Sequence, residues 1–217
     1  MRLRVAGCLA LALALGTGLS ACGGGSSDAN QTAGVYRAQV VTAKFPTSQL
    51  LGQTSLLRIG VRNTGNKTIP NLAMTVSVGG LAGRTSALPF TIHDPQPGLA
   101  QPDRPVWVLA QSYPRLVGSG RSSGATTSNP KTFTFGPLKP GATTEAVWKL
   151  VAAKAGNYAL LYAIDAGLGG AAKAKTAAGT QPGGSFAVHI EGKPPNTIVN
   201  GKGQVIILPE GKSGAGR

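Results

Sequence analysis

The chain has 217 residues, 41% hydrophobic and 13% charged, with a net charge of +14. That length bounds it to one large or two small domains, and the basic balance favours anionic partners such as lipid headgroups, envelope polymers or nucleic acid. Two cysteines, Cys8 and Cys22, and two histidines, His93 and His189, are too few for a disulfide framework or for a metal centre needing three or four ligands.

Arg2 and Arg4 precede an uncharged apolar run, VAGCLALALALGTGL, which Ser20 and Ala21 close. A charged start, an apolar middle and a small-residue end are the parts of a secretory signal. Glycines at 7, 16 and 18 interrupt the run, and it is short for a hydrocarbon core of ~30 Å. The alternative is an uncleaved membrane helix with an incidental cysteine. The residues LSAC (Leu19, Ser20, Ala21, Cys22) resemble the lipobox of bacterial lipoproteins at all four positions. The resemblance implies a diacylglycerol on Cys22 and cleavage just before it, so residues 1–21 are expected to leave. Gly23, rather than Asp, implies by the same resemblance that the anchor is not held at the inner of two membranes. One acyl chain gives only marginal binding, while each buried methylene adds ~0.8 kcal/mol, so two or three chains hold firmly. The segment 22–34, rich in Gly and Ser, is expected to be a flexible tether. Losing Arg2 and Arg4 with the leader lowers the charge from +14 to +12, and Cys8 leaves too, so no disulfide remains.

Beyond the tether the hydrophobic period is two. In TSLLRIGVRN, Leu57, Ile59 and Val61 share one face, and Arg58 and Arg62 the other. In LAMTVSV, Leu72, Met74, Val76 and Val78 alternate with small or polar residues, as do Phe186, Val188 and Ile190 in SFAVHI. Such alternation means strands with one buried and one wet face. GNYALLYAI is apolar on both faces and reads as a more central strand, and VIIL at 205–208 as a further one. NTGNKT, KPGA, KAGN and NGKG mark turns between the runs, and Asn200-Gly201 suits a tight hairpin. AAKAKTAAG at 171–179 is the single helix-like stretch. Without caps it is too short to hold as a helix, and it is read as a basic loop. Many short strands with such turns indicate a sandwich or barrel.

Two blocks narrow this further. LLRIGVRNTGNKTIPNLAMTVSV resembles the opening of immunoglobulin-like domains on bacterial surfaces, notably the CARDB type, whose mark is a strand, Asn-x-Gly, and a second strand. Here the mark is Asn63, Thr64 and Gly65. LKPGATTEAVWKLVAAKAGNYALLYAIDAG is similar to their second half: a Pro-Gly turn, a strand, a Gly-x-Tyr corner and a strand ending in Asp. The resemblance implies that Tyr158 bonds back to the chain at that corner, and that the protein is a binding or spacing module and not an enzyme. Some fifty extra residues part the two blocks, and the acidic, Asn-rich ending of CARDB domains is missing. The expected fold is all-β, an immunoglobulin-like sandwich over 35–208 with a long Pro-rich insertion, followed by a basic tail at 209–217 expected to be disordered.

The insertion, 85–130, holds seven of the fifteen prolines. Proline removes ladder donors, so mostly irregular chain with one short strand, PVWVLA, is expected, and deleting 95–125 is expected to leave a folded sandwich. Trp, Tyr and Arg anchor interfaces, which makes Arg104, Trp107, Tyr113 and Arg115 a possible partner-binding edge. For Trp107 the favoured reading is that it covers the core.

Catalytic and metal patterns fail. GRSSG around Ser122 matches the nucleophile-elbow spacing, but its flanks are Gly, Ser and Thr where a strand and a helix are needed. GKS at 211–213 lacks the first glycine and the helix of a phosphate loop. His93 and His189 are far apart, Met74 stands on an apolar face, and the seven carboxylates do not cluster. No cofactor is indicated. The lysines and arginines never form a run, so the charge has two readings: solubility, or an anionic partner. The expected role is non-catalytic binding or scaffolding in the cell envelope, with a membrane held through the lipid and an anionic polymer or another envelope protein as partner. No specific nucleic-acid site is indicated. A solute carrier serving a transporter and, behind it, an envelope hydrolase are the alternatives.

Overall fold

The computed structural model describes residues 32–80, 85–87, 90–91, 105–118, 125–126 and 131–208. The leader, Cys22, the tether up to residue 31, His93, Arg104, Ser122 and the tail 209–217 lie outside the described residues. The strands in chain order are β1 (Gly34–Lys44), β2 (Ser48–Leu50), β3 (Thr54–Asn63), β4 (Ala73–Gly80), β5 (Thr85–Ala87), β6 (Phe90–Thr91), β7 (Trp107–Leu109) and β8 (Arg115–Leu116). They continue as β9 (Ala125–Thr126), β10 (Thr132–Thr134), β11 (Thr143–Ala152), β12 (Gly156–Asp165), β13 (Ala172–Lys175), β14 (Gly183–Glu191), β15 (Thr197–Val199) and β16 (Val205–Ile207). Among the described residues no helix is long and apolar enough to cross a membrane.

The first sheet runs β13-β1-β3-β11-β7-β6 with β8 beside β11, and the second β2-β14-β12-β4-β10-β9 with β5 beside β4. Strands β1, β3, β11 and β7 stand in the order A-B-E-D, and β14, β12 and β4 in the order G-F-C, which are the two sheets of an immunoglobulin-like sandwich. Each sheet turns one apolar face inward. Leu57, Ile59 and Val61 of β3 and Ala146, Trp148 and Leu150 of β11 meet Met74, Val76, Leu160 and Ile164 from the other sheet in one core. Two tryptophans organise it. Trp148 packs edge-on against Phe133 and Phe135, with ring centres 6.0 and 5.8 Å away. Trp107 does the same with Phe45 and Tyr158, at 5.5 and 6.0 Å.

Both marks of the resemblance have a physical basis. Asn63, wholly buried at the end of β3, donates through Nδ2 to the carbonyls of Lys67 and Leu138, at 2.9 and 2.8 Å. Its Oδ1 accepts from the Gly65 N–H at 3.0 Å. One side chain thus satisfies three backbone groups at a turn that leaves the sheet. At the corner, Tyr158 Oη donates to the Ala155 carbonyl at 2.9 Å. Gly156 lies beneath it with φ 141°, and a Cβ there would fall 2.9 Å from Tyr158 Oη. Burial raises the pKa of Tyr158, and of Tyr162 farther along the strand.

Four expectations are corrected. Residues 172–175 form a strand and not a loop: β13 pairs in parallel with the start of β1, Ala172 and Ala174 are buried, and Lys173 and Lys175 point out. The short apolar period was hidden by alanine, which reads as helix-forming until a neighbouring strand supplies the pairing. Within the segment 85–130, the described strands belong to the two sheets and are not an appendage. Strand β7 pairs with β11 and carries Trp107 at 0% exposure into the core. The sheets close at Glu191, and β15–β16 is a separate two-stranded ribbon. Its turn is longer than a two-residue Asn-Gly hairpin: Asn200 and Gln204 close a loop with Gly203 at φ 75°, and Asn200 Oδ1 accepts from the N–H groups of Lys202 and Gln204 at 2.9 Å each.

Candidate functional site

Strand parity places the charge. On β3 the inward positions end at Asn63, so Leu56, Arg58 and Arg62 face out. The register with β11 sets Glu145, Val147 and Lys149 on the same outer face, since Val147 pairs with Arg58 and Lys149 with Leu56. Arg115 of β8 pairs with Val147 and joins them. On β1, Tyr36 and Ala38 are buried, so Val35, Arg37 and Gln39 point outward. A bulge between Val40 and Thr42 then inserts one residue and shifts the parity, so that Lys44 lands opposite Arg58. Without that extra residue, Lys44 would be aimed at the core. Lys173 and Lys175 pair with Val35 and Arg37 and extend the face onto β13.

The outcome is a stripe of cations running diagonally over the first sheet. Glu145 within it is bound to Arg58 at 2.9 Å, and Asp165 lines a pocket with Lys173 and Lys175 at the β13 end. Arg37 donates to the Thr176 carbonyl. Arg115 donates through Nε to the Ser112 carbonyl at 2.8 Å and lies over the Tyr113 ring, 4.7 Å from its centre. Lys44, Arg62 and Lys149 are exposed and have no acidic partner among the described residues. From the row of Arg37 to that of Lys149 the stripe crosses about eight strand positions, or about 27 Å at ~3.4 Å per residue. Aliphatic side chains stand between the charges: Val35, Val41 and Leu56 are 58%, 47% and 40% exposed. Beside Lys44 and Arg58 runs a shallow groove of about 560 Å³ with Phe45, Leu56 and Phe186 on its walls.

The outer face of the second sheet is different in kind. On β12 it shows Asn157, Ala159, Leu161 and Ala163, and on β14 Ser185, Ala187 and His189. On β4 it shows Thr75 and Ser77. None of these positions holds a lysine or an arginine. Its polar groups bond to one another: His189 Nδ1 lies 2.7 Å from Asn157 Oδ1, and the Thr75 and Thr132 hydroxyls are 2.9 Å apart. Among the described residues no three His, Cys, Asp or Glu side chains come close enough to hold a metal ion.

The residues singled out from sequence separate. Tyr113 and Arg115 stack on each other, and Arg115 belongs to the basic face. Of its two readings, Trp107 takes the core one and not the partner-binding one: its Nε1 donates to Gln49 Oε1 at 2.9 Å, and Gln49 Nε2 in turn donates to the Pro46 carbonyl at 2.9 Å. That chain ties β7 to the crossover before β2, and it leaves the indole no surface. Asn63, Gly65 and Tyr158 are structural. Lys44, Lys149, Arg37 and the β13 lysines were not singled out in the sequence. Alternation gives the outward parity of Arg58 and Arg62, but not which strands lie beside them.

No protein-family model matches the chain, and no curated protein does. Among solved structures, it is similar to the CARDB domain of a Pyrococcus furiosus protein in complex with di-metal ions, with 11% identity, 76% of this chain and 97% of that one covered, and a TM-score of 0.41. It is similar to the C-terminal domain of Wzt at 11% identity, 82% and 84% coverage and a TM-score of 0.41. A third likeness, to Escherichia coli alpha-2-macroglobulin from domain MG7 to the C-terminus, has 14% identity, 77% and 18% coverage and a TM-score of 0.39. The immunoglobulin-like assignment rests on the strand order itself.

Proposed function

We propose that this chain is a lipid-anchored, non-catalytic binding module of a bacterial cell envelope, held through Cys22 and presenting its basic sheet face to an anionic envelope component. The observation that carries the reading is segregation. Lysines and arginines scattered in sequence come together on the outer face of one sheet, while the described outward positions of β4, β12 and β14 on the other hold none. Solubility requires no such sorting, because charges spread over both faces serve it equally. A one-sided field concentrates anions at one surface and orients the molecule on approach. The lipobox resemblance and the tether support placement outside the cytoplasm, where such a face meets phosphate or carboxylate groups.

Membrane fractionation of the full chain at low and high salt tests both parts. Wild type is expected to stay with the membrane at high salt, because acyl chains are insensitive to screening. Cys22→Ala is expected to sediment at low salt and to be released by high salt, since only screened charge then holds it. Combining Cys22→Ala with Lys44→Gln, Arg62→Gln and Lys149→Gln is expected to release it at both. Retention of Cys22→Ala at high salt would remove the anchor assignment. Equal low-salt retention with and without the three face substitutions would remove the binding face.

A further inference from the structure

We infer that the basic face docks flat on anionic lipid headgroups of the membrane to which the chain is tethered, and not on a soluble polyanion. This rests on the function proposed above and names its partner. Charge alone does not choose between a phospholipid surface and a phosphate polymer, because both offer the same phosphate chemistry. The side chains between the charges do choose. Val35, Val41 and Leu56 project among Arg37, Lys44 and Lys149, and the groove beside Lys44 is walled by Phe45, Leu56 and Phe186. A hydrated polyanion leaves these side chains in water. The boundary between headgroups and acyl chains takes aliphatic groups in while phosphates meet the cations around them, which is the pattern of surface-seated membrane segments.

Geometry agrees with the chemistry. The chain enters the sandwich at Gly34, the first residue of β1, and β1 itself carries Val35, Arg37, Val41 and Lys44 on or beside this face. Cys22 lies twelve positions earlier, so the connection spans at most about 40 Å at ~3.3–3.6 Å per residue. The strand that leaves the lipid is therefore the strand that bears the face. The stripe is borne by the outer surface of a sheet and not by a cleft, which suits a planar array of headgroups. The lipid and the face act as two signals on one surface, which turns the second contact into an intramolecular one.

The test uses residues 23–217, which contain every strand of both sheets. Without the lipid, the face is measured alone. Binding is read at low salt to vesicles of phosphatidylglycerol with phosphatidylcholine, to vesicles of phosphatidylcholine alone, and to soluble polyphosphate. Three proteins are compared: wild type, Lys44→Gln/Lys149→Gln, and the charge-matched control Lys193→Gln/Lys202→Gln. A fourth, Val41→Asn/Leu56→Asn, keeps the charge and removes the aliphatic groups. All the substituted side chains are exposed, and unfolding midpoints confirm that each variant is folded. Expected is tight binding to the anionic vesicles, weaker binding to polyphosphate and none to phosphatidylcholine alone, with vesicle binding about thirty-fold weaker in the face variant and unchanged in the control. The aliphatic variant is expected to lose vesicle binding while its weaker polyphosphate binding stays the same. Polyphosphate binding as tight as vesicle binding, or vesicle binding indifferent to the aliphatic variant, overturns the membrane docking and leaves the anionic-face reading intact. Failure to bind either anionic probe overturns both.

Discussion

Asn63 shows how one side chain can serve a whole turn. It is buried, and it bonds the Lys67 and Leu138 carbonyls and the Gly65 N–H. Asn63→Ala removes three bonds made by a wholly buried amide, the one to Leu138 itself buried, and a buried unsatisfied group costs roughly 1–3 kcal/mol. We expect a loss of about 2–3 kcal/mol, read as a lower urea midpoint at unchanged slope. A loss below about 0.5 kcal/mol would mean that water reaches the turn. Asn63 was visible in the sequence because Asn-x-Gly between two alternating runs is a turn with a mechanism. Gln49 was not visible: nothing in SQL announces that its amide receives the Trp107 indole 58 positions away.

At the scale of elements, the segment between β4 and β10 carries the largest difference between expectation and structure. Its prolines read as irregular chain, yet β7 completes the first sheet and Trp107 fills the space among Phe45, Tyr158 and Gln49. The five apolar residues Val106 to Ala110, between Pro105 and Pro114, read as one short strand, but not as one that joins a particular sheet. Only the open edge of β11 makes them one. Removing residues 95–125 takes away β7, β8 and Trp107, and a core tryptophan alone is worth ~3–5 kcal/mol. We expect that deletion to abolish cooperative unfolding. Ending the chain after residue 195 removes a ribbon joined to neither sheet, and is expected to preserve it. Thermal melts of the two truncations decide this, and a cooperative melt for the internal deletion would show that β11 needs no neighbour there.

For the whole molecule the decisive property is where the charge sits. Lys44 stands beside Arg58, and Arg37 beside Lys175, with a single ion pair, Arg58 to Glu145, along the stripe among the described residues. Like charges set opposite one another on a sheet destabilise it, and screening shortens the Debye length from ~30 Å at 0.01 M to ~3 Å at 1 M salt. The melting temperature is therefore expected to rise with sodium chloride, in proportion to about 1 kcal/mol of relieved repulsion. Lys44→Gln/Lys149→Gln should flatten that rise. A melting temperature indifferent to salt in wild type would mean that the cations are too far apart or too well hydrated to repel. Tolerating such repulsion on one face, when the opposite face has room for charge, is what a binding surface needs and a merely soluble one does not.

The sequence by itself determined the local matters: strands from the period of two, the Asn63 turn from residue chemistry, the Tyr158 corner from the family resemblance, and the all-β class from the number of strands. Each depends on residues a few positions apart, and neighbours in sequence act on one another whatever the rest of the chain does. Only the tertiary structure decided that β13 is a strand, that Trp107 enters the core from a strand paired with β11, and that the cations form one face. Those outcomes depend on which strands lie side by side, on a one-residue bulge in β1 that reverses parity before Lys44, and on registers between positions as far apart as Arg58 and Val147. Pairing across such distances is set by how two sheets bury their apolar faces together, and no short window of sequence contains that.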